Sequence, residues 1–249
     1  MHGLPLALTQ AGSYIRERNM SAATYAEHYN DKWKQLMKKE GRFPLKEYGD
    51  RSVLTTWAMS YEQVQKQSEE AARLVKLWGL LDSGELCYEL VAAASEVAED
   101  MNVPAWLLEL ADNKLEFDDA AGLLVRYSLA EVKEGLDGYS MHAVLHRWCG
   151  QLADSKESRE LCCIAVGLVA TNVPLEWDAE SWRKRKRLLA HGISVSQRIN
   201  EGLVGNGPDR VEADIEPKYL HSLGYLLRDE DIQRPTKMYQ RALQGYKKV

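Results

Sequence analysis

Phenylalanine occurs only twice and proline only seven times in this chain of 249 residues. So few chain breakers leave room for long helices, and 45% hydrophobic with 28% charged residues suits a helix-rich globular protein better than a disordered one. Cysteine is scarce as well. Cys87, Cys149, Cys162 and Cys163 form no CxxC pair and keep no regular spacing, which argues against a disulfide frame or a zinc knuckle and leaves reduced thiols as the expectation. No long apolar run is present: the longest, Leu161 to Ala170, is about half of the roughly 20 residues that span a bilayer, so it reads as a core helix. The opening Met1 to Leu8 lacks the basic start and the apolar length of a secretory signal, and a cytoplasmic location is expected. Excess positive charge is also missing. A formal net charge of −5 disfavours a chain whose main task is holding nucleic acid, since phosphates call for a basic surface. Finally, no GxxxxGK followed by Ser or Thr occurs; Gly79 to Glu85 comes nearest and has no lysine.

What is there is helical periodicity, at a length that allows one large domain or two small ones. Ala7 to Asn19 and Ser21 to Lys39 read as amphipathic helices, the second with Ser21 as N-cap and a stop before Gly41 and Pro44. A chain that begins inside structure in this way carries the expectation of an upstream partner. From about Ser52, the stripes Val53, Leu54, Trp57, Tyr61 and then Leu74, Val75, Trp78, Leu81 mark two further helices. Glu85 to Ala98 and Pro104 to Ala111 add two, the latter with Pro104 in the first turn, and Phe117, Ala121, Leu124 and Val125 mark another. The period then changes. Ser128 to Glu134 and Tyr139 to His142 flank Gly135-Leu136-Asp137-Gly138, a hairpin signal. Leu145, Trp148, Cys149 and Leu152 resume a helical stripe, and Asp154 to Arg159 reads as a solvated boundary. Helix returns from Glu160, is interrupted by a loop at Gly202 to Pro208, and closes with the pair Leu220 to Leu227 and Thr236 to Tyr246. One such pair cannot bury both of its faces alone.

Gly3-Leu4-Pro5-Leu6, then Trp57 to Tyr61 with Ala72 to Trp78, then Tyr139 to Leu145, taken in that order, resemble segments of the NB-ARC family of signal-transduction ATPases, in particular the fungal, NLR-like proteins with tetratricopeptide sensors. Gly3-Leu4-Pro5-Leu6 resembles the GLPL motif. Trp57 to Tyr61 followed by Ala72 to Trp78 looks like the first two helices of the family's winged-helix subdomain. Tyr139 to Leu145 resembles the MHD motif after the hairpin, with Ala143 where the family usually has Asp. Leu223-Gly224 and Met238 to Leu243 look like the halves of a tetratricopeptide repeat, although Pro235 stands where that repeat has a small Ala and the turn before it is one residue short. The implied fold is all-α with one small β-hairpin: the remainder of a helical ARC subdomain at 1–50, a winged helix at 51–153, linker helices at 154–215 and a first tetratricopeptide-like pair at 216–249. The implied function is regulatory. A winged helix locks over ADP, the repeats meet protein partners, and exchange for ATP opens the arms. Lacking a phosphate loop and a Walker-type acid, the chain is not expected to be an enzyme by itself, and ADP or ATP would bind only together with an upstream nucleotide-binding domain.

By this resemblance Gly3 and Pro5 would touch the adenine, Gly3 by close backbone approach and Pro5 by its flat ring; the plain alternative is a helix start. His142, where a strand gives way to a helix, would meet a β-phosphate with a charge-assisted bond of about 1.5–3 kcal/mol, or else is an interdomain or core histidine. His142, His146 and Cys149 share a stripe, but its ends lie roughly 10 Å apart along the axis, too far for one zinc ion with bonds near 2 Å, so no metal is expected. A winged helix raises DNA binding as a rival reading. Between Asp82 and Ala120, however, eleven acidic residues face one basic residue, a local charge near −10. The basic run Arg183, Lys184, Arg185, Lys186 and Arg187 lies outside that segment and reads as a solvated face, a nuclear import signal or a contact for an acidic partner. An autonomous protein-binding scaffold is the remaining alternative.

Overall fold

A computed structural model describes residues 4–38, 51–133, 137–174, 179–200, 215–228 and 233–246. The chain is helical apart from one small hairpin, as the periodicity predicts. In order the elements are α1 (Leu4–Glu17), α2 (Ala22–Lys38), α3 (Arg51–Gln67), α4 (Glu69–Trp78), α5 (Tyr88–Ala92), α6 (Ala94–Val97), α7 (Ala105–Asp112), α8 (Lys114–Arg126), β1 (Glu131–Val132), β2 (Tyr139–Ser140), α9 (Ala143–Cys149), α10 (Ser155–Thr171), α11 (Ala179–Asn200), α12 (Pro217–Leu227) and α13 (Gln233–Tyr246). β1 and β2 pair as a two-stranded antiparallel sheet. No helix among the described residues is long and apolar enough to cross a membrane. The Gly202 to Pro208 loop and the Gly135-Leu136 half of the hairpin turn lie outside the described residues, as does Gly3.

The chain forms two compact units, each discontinuous in sequence: Met1–Val75 with Asp118–Val132, and Lys76–Phe117 with Lys133–Val249. The division falls inside α4 and α8. In unit 1, α3 packs against both α1 and α2 and buries Trp57 and Val64 completely. Ser21 caps α2 as its sequence position predicts, its Oγ accepting from Thr24 N at 3.0 Å. Ser68 does the same for α4, where Ala71 N donates to its Oγ at 3.0 Å and Glu69 and Glu70 occupy the positive end of the helix. Ser128 closes this unit from a left-handed backbone conformation, φ 54°. Its hydroxyl meets Ser13 Oγ at 2.7 Å, and its carbonyl accepts from the fully buried Gln10 at 3.1 Å.

In unit 2 the centre is α10. Leu161 to Ala170 is buried on all sides, so the apolar run is a core helix; α5, α6, α11 and α12 pack around it. A second cluster stacks Trp78 on Tyr139 at 5.7 Å with Phe117 edge-on to Trp78 at 6.2 Å. The α12–α13 pair is close because Gly224 leaves space for the Tyr239 ring; a Cβ there would lie 2.9 Å from it. Pro235 sits in the first turn of α13, where a missing N–H costs little.

Three sequence expectations are corrected here. Glu85 to Ala98 is not one helix. Leu86 exchanges two backbone bonds of 2.9 Å with Tyr139, so it is extended, Glu85 turns left-handed at φ 55°, and helix begins only after Cys87, with a second break at Ala93. Pro104 is the N-cap of α7 and precedes its first turn. Asp154 to Arg159 is solvated at Asp154, Ser155 and Lys156, as expected, but helix returns at Ser155 and not at Glu160. The Asp154 carboxylate accepts from Lys156 N at 2.9 Å and Glu157 N at 3.0 Å, which starts α10 at Ser155 and buries Ser158.

Candidate functional site

The strand-to-helix corner at His142 is built by short-range bonds. β2 delivers the chain to Met141, whose N–H donates to Ser83 O at 2.8 Å, and Met141 is buried as the anchor. His142 follows in an extended conformation as the N-cap of α9, with its Nδ1 accepting from Val144 N at 3.3 Å. An Nδ1 that accepts must be unprotonated in the neutral ring, so the proton resides on Nε2, which is a donor. His142, Ala143 and Val144 are exposed, Val144 to 43%. The imidazole therefore presents a donor to solvent and is not packed into its own unit. Ala143 supplies no carboxylate beside it.

The other two residues of that stripe turn elsewhere. His146 Nε2 donates to Trp78 O at 3.0 Å, and burial holds this imidazole below the ordinary histidine range. Cys149 is buried, and its thiol is pushed far up by the loss of solvent. Among the described residues no group of three or more His, Cys, Asp and Glu side chains is placed to hold a metal ion. Beside Cys149, Gly150 and Gly79 bring two backbones into contact: a Cβ on Gly79 would lie 2.5 Å from Gly150 N.

Sequence reasoning missed a polar stripe on α11. Arg187 Nε donates to Glu85 Oε2 at 2.9 Å, and His191 Nδ1 accepts from Asp82 N at 3.1 Å. Ser194 Oγ donates to Leu81 O at 2.8 Å, and Arg198 Nη2 donates to Gly79 O at 3.1 Å. Their spacing of four, three and four residues puts them on one helical face. A helix leaves its last carbonyls without internal partners, and here Ser194 and Arg198 supply donors just past the end of α4, while His146 serves Trp78 itself. The stripe is readable in the sequence as four polar residues at helical spacing.

That run is divided by the fold. Arg185 is buried, donates to Tyr225 O at 3.1 Å and lies 4.5 Å from the centre of the Tyr225 ring. Arg187 is held by Glu85, which it shares with Lys133 at 3.3 Å. Arg183, Lys184 and Lys186 are exposed, Lys186 over the Trp182 ring at 5.4 Å. The solvated-face reading thus holds for the four exposed positions, Arg187 among them although Glu85 pairs with it, and is corrected for the buried Arg185.

Pro5 belongs to unit 1, in the first turn of α1. It is exposed, and its carbonyl accepts from Thr9 Oγ1 at 3.0 Å. His142 belongs to unit 2. No protein-family model, no curated protein and no solved structure matches the chain.

Proposed function

We propose that this chain is a regulatory part of a nucleotide-dependent signalling switch of the NB-ARC kind, non-catalytic by itself. In this reading His142 offers its Nε2 proton to the anionic end of ADP held on a separate nucleotide-binding domain, Gly3 and Pro5 approach the adenine, and α12 with α13 receives protein partners. The single observation that carries it is the His142 ring itself: exposed at the start of α9, fixed through Nδ1, and left with one outward donor. An imidazole held through Nδ1 in this way meets a phosphate oxygen with its Nε2 donor, which favours the closed state. The test joins the chain to such a nucleotide-binding domain and measures ADP dissociation with and without His142→Ala. The variant is expected to release ADP about 10- to 100-fold faster. Unchanged release would remove the histidine from the switch.

A second reading is favoured by α13, which leaves Leu243 at 56% and Tyr246 at 53% exposed. Two large apolar side chains on one helix end suit a scaffold that docks proteins without any nucleotide lock. Partner binding that persists in the chain alone and ignores ADP would support this reading over the first.

A further inference from the structure

Between the α6–α7 connection and the first three turns of α10, unit 2 contains a cleft of about 680 Å³. This volume lies within the range of roughly 300–1,000 Å³ typical of small-molecule sites. Its inner wall is apolar: Met101 and Pro104 on one side, the buried Cys163 and Ile164 on the other. Two cations and one carboxylate line it. Lys156 and Glu160 stand at the solvent edge, 3.8 Å apart with side chains 87% and 58% exposed, and largely answer each other. Arg159 is different. It is half-buried between them and pairs with no carboxylate among the described residues, and its Nε is closed off from water without a hydrogen-bond acceptor. The N-terminus of α10 does not account for the site, because Asp154 already accepts its first free N–H groups.

The Arg159 Nε is too enclosed to meet a ligand in the cleft, but the outer Nη groups are not enclosed with it and have no acceptor among the described residues, so they remain available to an anion. The planar fork of arginine matches a carboxylate. The charge on the lining, two basic residues against one acidic, leaves a net +1 and so favours a monoanion over a phosphate dianion. We propose that this cleft binds a small amphipathic monocarboxylate, its head on Arg159 and its apolar body against Met101, Pro104, Cys163 and Ile164. The site is independent of the nucleotide reading and would remain if that reading failed.

The test titrates the full chain by calorimetry with octanoate, 1-octanol and inorganic phosphate. Octanoate is expected to bind saturably at one site, with 1-octanol and phosphate at least tenfold weaker. Arg159→Gln is expected to weaken octanoate at least tenfold. Asn102→Trp, a substitution at an exposed lining position, is expected to block the cleft and abolish binding with unchanged helicity. Absence of saturable octanoate binding overturns the proposal. Equal binding of 1-octanol reduces the cleft to an apolar hole, and equal binding of phosphate reduces it to a charge patch; either result overturns it too. Should Arg159→Gln fail to fold, Asn102→Trp decides: octanoate affinity left intact in that variant refutes the site.

Discussion

In unit 1 several part-buried polar bonds are made by neutral groups, alongside the Lys32–Glu62 ion pair and the bond from Arg16 to Ser13. Gln10, Ser13 and Ser128 bond one another, Gln67 donates to Tyr127 OH at 2.5 Å, and Tyr14 sits edge-on to Tyr25 at 5.6 Å and to Tyr127 at 6.2 Å. Burial pushes the Tyr14 and Tyr25 phenols up, further from neutrality than usual. Unit 2 adds to neutral bonds such as that of Asn172 several that rest on groups that carry or can acquire charge: His146, His191, Arg185 and Arg198. The two units solve the same problem, satisfying backbone and side-chain polar groups away from water, with partly different chemistry. Unit 2 holds the two histidines whose titration is displaced by burial, so unit 2 should feel mild acid more than unit 1.

The strongest test of the neutral side of this comparison is Trp57→Ala. Trp57 is fully buried in α3, and removing such a side chain leaves a cavity that costs about 3–5 kcal/mol. Urea unfolding should report that loss undiminished between neutral pH and mildly acidic pH, because no titrating group takes part. A loss that changed with pH across that interval would break the contrast.

Arg185→Ala comes next, expected to cost about 2 kcal/mol through the lost carbonyl bond and the lost stacking on Tyr225. Its neighbour Lys184 is exposed, and Lys184→Ala should stay within about 0.5 kcal/mol. Thermal melts of the two variants separate the readings of the basic run. Equal effects would mean that the run is a uniform solvated face after all.

The fold class was legible because helical period is a local property: Val53, Leu54 and Trp57 are buried on α3, and Leu74, Val75 and Trp78 on α4, which ends before Leu81. The N-caps were legible only in part. Ser21 was found from its own position, whereas Asp154, solvated as expected, gave no sign that its carboxylate starts α10 at Ser155. Leu86 was missed for another reason. Its extended conformation comes from pairing with Tyr139, more than fifty residues on, and no local pattern carries such information. The same holds for the compact units, which join segments far apart in the chain. At His142 the sequence placed the residue at a strand-to-helix corner, but its capping role and outward Nε2 needed coordinates. The α11 stripe was written plainly in the spacing of Arg187, His191, Ser194 and Arg198, yet its meaning depends on which carbonyls end opposite it.

The smallest effect, and the one that sharpens the comparison most, is the acid response of unit 2. Burial holds the imidazoles of His146 and His191 below the ordinary value of 6.5. Asp82, Glu85 and Arg187 face His191, and Arg198 and Asp82 face His146; in both cases the loss of solvent outweighs the nearby carboxylates. The unfolded chain therefore binds these protons at higher pH than the folded one. Stability is fully present above the unfolded value, declines as pH falls below it, and stops declining once the folded groups are protonated as well. Each histidine can contribute a slope of at most about 1.4 kcal/mol per pH unit inside that window. Amide exchange of α10, read through the window, should show this decline, and exchange of α3 should show it less. His191→Gln removes one of the two titrating rings, so the α10 slope should fall toward what His146 alone supports. An unaltered slope would place the acid sensitivity elsewhere, and the first group to examine would then be Glu85, which Arg187 and Lys133 hold below the usual carboxylate range against the opposing effect of its burial.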